Sequence, residues 1–230
     1  MNEISRRIKE ELSRFGADIV GFGNLDELPE DVREGLPTGI SVAVVYPKKV
    51  ILSIAELPTQ EYREWYDKLN ERLDSIVEHG AELLRGKGFR AVALTREYVG
   101  NGESKDNTTL PHKTVATRAG IGWIGKCALL VTEEYGSAIR LSSILTDAPL
   151  DTAQPINKSQ CGECMVCTDA CPGYAVSGKM WEVDIYRDEF FDPVKCRKTA
   201  RERARLGFNG DITICGKCIE ICPYTRRYTK

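Results

Sequence analysis

The stretch "CGECMVCTDACPG", from Cys161 to Gly173, decides how this sequence is read. It places Cys161, Cys164, Cys167 and Cys171 at gaps of two, two and three residues and follows them with Pro172. Two-residue gaps let three thiolates reach three corners of a [4Fe–4S] cube, while the fourth cysteine lies beyond that cube and serves another. A second motif, "CGKCIEICP", supplies Cys215, Cys218, Cys222 and then Pro223. It is one cysteine short of a full run, and Cys196 in "DPVKCRKTA" fills the gap. Exchange of the fourth cysteine between runs assigns one cube to Cys161, Cys164, Cys167 and Cys222. The other cube then takes Cys171, Cys196, Cys215 and Cys218. Structural zinc is the alternative, since C-x-x-C pairs also bind that ion. Three cysteines at consecutive two-residue gaps, each motif ending in proline, favour iron–sulfur.

Outward from these motifs, cysteine use is lopsided. The chain of 230 residues has nine cysteines, none before Cys127, and eight between Cys161 and Cys222. The N-terminal "MNEISRRIKEELSRFG" lacks the apolar stretch of an export signal. A disulfide framework is therefore a poor reading, and the expected location is the cytoplasm. There is no apolar run of about eighteen residues, so no membrane span is expected. A net charge of −2 gives no global field for nucleic acid or anionic membrane. Cys127 opens an apparent strand and reads as a packed core thiol, with a redox or ligand role as the alternative.

The first part of the chain reads as layered α/β. Ile4, Ile8, Leu12 and Phe15 recur at helical spacing, with Gly16 as a stop. "ADIVGFG" and "GISVAVVYP" read as strands. Residues 58–88 read as a long helix with Tyr62, Trp65, Leu69, Leu73, Ile76, Val77 and Leu84 near one stripe. "FRAVALT" is a strand, "VGNGESKDNTTLP" a polar loop and "HKTVATRA" a short helix. "CALLVT" and "IRLSSIL", joined through "EEYGS", read as a β-hairpin. Pro149 and Pro155 among polar residues mark a boundary. The expected organisation is an α/β domain over 1–150 and a ferredoxin-like iron–sulfur domain over 158–230, α+β as a whole.

"RAGIGWIGK", from Arg118 to Lys126, matches G-x-G-x-x-G through Gly120, Gly122 and Gly125. In a dinucleotide-binding turn a strand precedes these glycines and a helix follows. Here a helix precedes and a strand follows, so a pyrophosphate cradle is not expected.

The span "HKTVATRAGIGWIGKCALLVTEEYGSAIRLSSILTDAPL" with "CGECMVCTDACPG", Cys196 and "CGKCIEICPYT" resembles the epoxyqueuosine reductase family, corrinoid-dependent relatives of the reductive dehalogenases. The resemblance runs from about Asp106 to Tyr224. It implies a nitroreductase-like N-terminal domain that holds cobalamin against the ferredoxin module, with two [4Fe–4S] clusters feeding electrons to cobalt from a ferredoxin- or flavodoxin-type donor. It also implies a small-molecule or modified-nucleoside substrate, with tRNA as its carrier in the family. Asp106, counted back from Arg118 without gaps, takes the place of the family's proton-donating aspartate. His112 is a second candidate proton donor or cobalt-proximal group. Arg118 and Lys126 are candidates to meet cofactor amides or phosphate, Gly120 and Gly122 to allow close backbone approach, and Trp123 to pack over the site.

Two departures support another reading. The residues after Asp106 read "DNTTLPHK" rather than the family's segment, and the sequence stops at Lys230, where the family continues into tRNA-binding helical repeats. The second reading is an iron–sulfur electron-transfer protein without a catalytic corrinoid, whose N-terminal part docks a partner enzyme or another cofactor such as flavin. Residues 192–205 carry six basic and two acidic side chains, a solvated helix face or a docking site for an acidic donor.

Overall fold

A computed structural model describes residues 1–100 and 108–230. Its elements run α1 (Glu3–Arg14), β1 (Ile19–Asn24), β2 (Thr38–Val45), α2 (Lys48–Leu52), α3 (Gln60–Arg85), β3 (Ala91–Leu94), α4 (Arg96–Gly100) and α5 (His112–Arg118). There follow β4 (Trp123–Ile124), β5 (Leu130–Val131), β6 (Ile139–Thr146), α6 (Val166–Asp169), α7 (Pro193–Phe208), α8 (Lys217–Glu220) and α9 (Pro223–Thr229). No helix among the described residues is long and apolar enough to cross a membrane.

By internal contacts the chain groups into two units. One comprises Met1–Val44, Leu69–Ile121 and Arg140–Ile156. The other comprises Val45–Lys68, Gly122–Ile139 and Asn157–Lys230. This grouping does not follow the sequence boundary at 150–158, because residues 45–68 and 122–139 group with the cysteine-rich end.

The first unit is built on a four-stranded sheet in the order β1-β2-β6-β3. β1 pairs antiparallel with β2, and β3 antiparallel with β6. Asn2 caps α1 by accepting a hydrogen bond from Ser5 N–H at 2.8 Å. Ile8 and Leu12 of α1 and Leu73, Ile76 and Val77 of α3 are buried, the faces that the helical periodicity marks out. β1 carries glycines where α5 ends. A Cβ on Gly23 would stand 2.6 Å from the Arg118 carbonyl carbon. The end of α5 therefore rests directly on the strand backbone, which only glycine permits at that distance.

The expected hairpin of "CALLVT" with "IRLSSIL" is not what forms. β5 pairs instead with β4, in the register Trp123↔Val131 and Ile124↔Leu130. β6 enters the main sheet between β2 and β3. β6 is buried on both faces through Ser142–Thr146, and a strand buried on both faces is stable only with a partner on each edge. Within the "EEYGS" turn a Thr132–Gly136 bridge remains.

In the second unit, Ile124, Ala128, Trp181 and Phe190 form a small core. The hydroxyl of Thr225, fully buried in α9, accepts from Ser137 N–H at 3.1 Å. Tyr228 in α9 donates its hydroxyl to Tyr46 O at 2.8 Å.

Candidate metal centre

All eight clustered cysteines and Cys127 are free thiols in the second unit. The first run is wound by short backbone bonds, Cys164 N–H to Cys161 O at 3.2 Å and Cys171 N–H to Thr168 O at 3.3 Å. Cys196 sits in the first turn of α7, whose N-cap Asp192 accepts from Lys195 N–H at 2.9 Å. Cys215 precedes Gly216, which holds φ +76 at the start of α8. Cys222 caps α9, and Pro223 occupies its first helical position.

The thiols group across the two motifs. Burial raises the Cys222 thiol, and Cys161 and Cys167 of the first run add to the rise. Burial pushes the Cys196 thiol up to about 11, and Cys215 and Cys171 contribute as neighbours. Cys222 thus faces the first run, and Cys171 faces Cys196 and Cys215. The amide of Ala175 donates to Cys171 Sγ at 3.3 Å, the kind of bond that supports a ligand sulfur. A cube spreads its thiolates over four corners, and two groups of thiols drawn from both motifs fit two [4Fe–4S] clusters. A buried anchor adjoins the second motif. Burial raises the Glu220 carboxyl, but hydrogen bonds from Arg226 at 2.9 Å and Lys217 at 3.1 Å outweigh it and hold the group below its usual range.

The turn after β4 lies against these cysteines. A Cβ on Gly125 would sit 3.5 Å from Cys161 Sγ. Lys126 is buried, and its Nζ donates to Cys164 O at 3.0 Å and toward Met165 Sδ at 3.4 Å. Cys127 is buried, with Cys167 and Cys218 as neighbours. Its thiol is pushed well above its ordinary value: the Cys167 contact lowers it, but Cys218 and burial win. The burial of Cys127 agrees with its expected place as a core thiol, whereas nothing in local spacing links position 127 to 167 or 218.

The remaining site candidates fall as follows. Arg118 is buried, ion-paired with Glu27, and donates to Ile156 O at 3.2 Å. Gly120 faces Gln154 O, 3.0 Å from where a Cβ would stand, and Gly122 faces Val131 O at 2.2 Å. Trp123 is buried, meets Tyr224 edge-on at 4.9 Å, and its Nε1 lacks a hydrogen-bond partner among the described residues. Chain atoms thus take up the side chains of Arg118 and Lys126 and the Cβ sides of both glycines. One unpartnered indole N–H does not make a cofactor site. Asp106 lies outside the described residues.

His112 opens α5 with Nδ1 3.1 Å from Ser143 Oγ. Burial first, then the charge of Arg140, lower its pKa to about 4, against a smaller opposing pull from Asp74. A neutral ring with a hydroxyl partner is not poised to give up a proton near neutrality. Between pH 6.5 and about 4 the unfolded chain binds a proton that the folded chain does not. Stability is therefore expected to fall as pH drops through that window, by about 2 kcal/mol with partial exposure allowed for. His112→Gln should flatten this slope in anaerobic urea titrations at a series of pH values. Equal slopes in the two proteins would remove His112 from the account.

Residues 160–225 match the 4Fe-4S double cluster binding domain family. An epoxyqueuosine reductase of Synechococcus sp. (strain CC9605) is 29% identical over 203 residues, 86% of this chain and 59% of that protein. The solved structure of epoxyqueuosine reductase with an epoxyqueuosine-modified tRNA-Tyr stem loop matches with TM-score 0.63 at 21% identity, over 97% of this chain and 66% of that one. A reductive dehalogenase, whose structure suggests a mechanism for B12-dependent dehalogenation, matches with TM-score 0.68 at 17% identity, over 95% of this chain and 31% of that one. The chain spans about half the length of the curated relatives it matches. It is a homologue of epoxyqueuosine reductases with their α+β fold and a C-terminal domain for two [4Fe–4S] clusters.

Proposed function

We propose that this protein is an epoxyqueuosine reductase-like oxidoreductase that draws electrons from a low-potential ferredoxin- or flavodoxin-type donor in the cytoplasm and delivers them to a substrate site in its N-terminal part. Cys161, Cys164, Cys167 and Cys222 hold one cluster, and Cys171, Cys196, Cys215 and Cys218 hold the other. The observation that carries this reading is the grouping of Cys222 with Cys161 and Cys167, and of Cys196 with Cys171 and Cys215. The clusters supply one-electron transfer at low potential. The chain's own part is to hold the thiolates, bury the backbone around them and keep Lys126 and Cys127 at their edge.

A corrinoid is the proposed acceptor, by fold likeness to a reductive dehalogenase studied for B12-dependent chemistry. Asp106 is the proposed proton donor. The substrate class is a modified nucleoside, on the pattern of the relative solved with a modified tRNA stem loop. The occupied state of Arg118 and Lys126 favours a second reading, in which the N-terminal part passes electrons to a partner enzyme without a corrinoid.

Anaerobic purification with iron and cobalt analysis separates the two. About eight irons per chain are expected, four for each cube. Titration of this protein with cobalamin should change its optical spectrum at micromolar ligand. No spectral change and no binding heat would leave the electron-transfer reading standing.

A further inference from the structure

Positive charge in this chain is concentrated on one helix of the second unit. The net charge is −2 overall, yet α7 carries six basic side chains and one acidic one. Its inner face holds the buried Ala200 and Ala204 and the half-buried ligand Cys196. The opposite face repeats at i, i+4, i+7 and i+11 with Val194, Lys198, Arg201 and Arg205, all exposed. Arg205 pairs with Asp211 at 3.1 Å and the neighbouring Lys195 with Asp192 at 3.4 Å, exposed pairs that yield at little cost. Lys198 and Arg201 have no ion-pair partner among the described residues. Beside the start of this stripe lies the turn of Cys171. A Cβ on Gly173 would stand 2.9 Å from Thr199 Cβ and 3.3 Å from Lys195 O, so the turn rests on α7. The next residue, Tyr174, is 84% exposed, and Val194 is 70% exposed. Tyr174 holds φ +51, a left-handed backbone that costs a non-glycine residue about 1 kcal/mol. An exposed aromatic ring kept on a strained turn beside basic side chains marks a contact surface rather than a solvated helix alone.

We propose that the exposed face of α7, with Tyr174 at its edge, is where an acidic one-electron carrier protein docks to reduce the cluster of Cys171, Cys196, Cys215 and Cys218. This rests on the reading above, in which the protein draws electrons from such a donor. An acidic carrier meets a helix of opposite sign, which speeds encounter and fixes orientation. Val194 and the Tyr174 ring supply apolar contact for a small, transient interface. Position supplies the rest. Cys196 projects from the inner side of the same helix, and an α-helix with its side chains is about 10–12 Å across. A carrier on the basic face therefore stands about one helix width from a cluster ligand. Tyr174 hangs on the turn of a second ligand, its amide donating to Cys171 O at 3.1 Å. A nucleic acid would also meet positive charge here, but it gains nothing from lying over a cluster ligand. In the transfer the carrier is oxidised by one electron and the cluster is reduced by one. No covalent bond forms or breaks.

The test is stopped-flow reduction of anaerobically purified, iron-counted protein by a reduced acidic flavodoxin, read from the flavin absorbance, with dithionite as a reductant too small to need docking. In the unaltered protein the flavodoxin rate should fall steeply with salt. Lys198→Glu/Arg201→Glu should lower it at least about tenfold at low ionic strength, and the difference should close toward about 1 M salt. Lys198→Gln/Arg201→Gln should give a smaller loss in the same direction. Tyr174→Asn, which tolerates the left-handed backbone, should raise the half-saturating flavodoxin concentration about tenfold. Dithionite should reduce every variant as fast as the unaltered protein. Lys9→Glu/Lys87→Glu makes the same charge change at exposed residues elsewhere and should slow flavodoxin far less. Equal flavodoxin rates in the unaltered protein and in iron-replete Lys198→Glu/Arg201→Glu would overturn the docking face alone. An equal loss in the control pair would do the same, by making the effect one of net charge. Reduction of the unaltered protein by dithionite but not by flavodoxin would overturn the donor reading and the face together. Iron well below about eight per chain would defeat the ligand assignment and remove the acceptor this face needs. A stem-loop RNA that binds the unaltered protein but not Lys198→Glu/Arg201→Glu, at an unchanged flavodoxin rate, would give the face to nucleic acid and overturn the proposal.

Discussion

The double variant Cys161→Ala/Cys222→Ala will keep about four irons per chain, the same as either single variant. The two positions lie in different motifs, sixty-one residues apart in sequence. If each motif held its own cube, removing one cysteine from each would damage both, and iron would fall toward zero. If the fourth cysteine is exchanged, both variants damage one cube and the second loss adds nothing, as expected for residues that act as a unit. Cys171→Ala/Cys196→Ala should behave likewise for the other cube. Cys161→Ala/Cys196→Ala is the control that should lose both. The physical basis is the neighbourhood of Cys222, where Cys161 and Cys167 raise its thiol together with burial. Iron analysis with resonance spectra of the remaining cluster reads all three cases. Iron near zero in Cys161→Ala/Cys222→Ala would reject the exchanged assignment.

Gly122→Ala is expected to cost about 3 kcal/mol, the upper end of what overpacking usually costs. An added Cβ would stand 2.2 Å from Val131 O and 3.0 Å from Val131 C. Both are backbone atoms, and Val131 is locked in register opposite Trp123. A side chain could swing aside from such a clash, whereas a paired strand cannot without giving up its ladder bonds. The urea midpoint should drop by about 1–2 M for a slope typical of a small protein. Gly100→Ala is the matched control, since no atom of the described residues lies within 4 Å of its Cβ position, and it should change stability by under about 0.5 kcal/mol. A midpoint for Gly122→Ala equal to that control would mean the strand yields more easily than its pairing implies.

Much of the fold can be read along the chain. Helical periodicity over residues 58–88 anticipates α3 at Gln60–Arg85, and its expected stripe buries Tyr62, Leu69, Leu73, Ile76, Val77 and Leu84. "HKTVATRA" becomes α5 within a residue. These elements follow local rules, in which side-chain period and terminal residues act over one or two turns. The pairing of β6 is different. Its run reads as the second arm of a hairpin because sequence neighbours usually pair, yet burial on both faces sends it between β2 and β3. Strand partnership is settled by which surfaces must be covered, and the sequence does not print that.

The same division runs through the metal centre. Cysteine spacing alone determined that the C-terminal part carries iron–sulfur chemistry, because a cube needs thiolates at short fixed separations and C-x-x-C supplies them wherever the chain goes. It even suggested the exchange of fourth cysteines. Only the tertiary structure brought Cys222 near Cys161 and Cys167, set Lys126 beside the first run, and made Cys167 and Cys218 neighbours of Cys127. Those contacts join residues far apart in sequence. They exist because burying the turn around Ala128 with Ile124, Trp181 and Phe190 packs one part of the second unit against another.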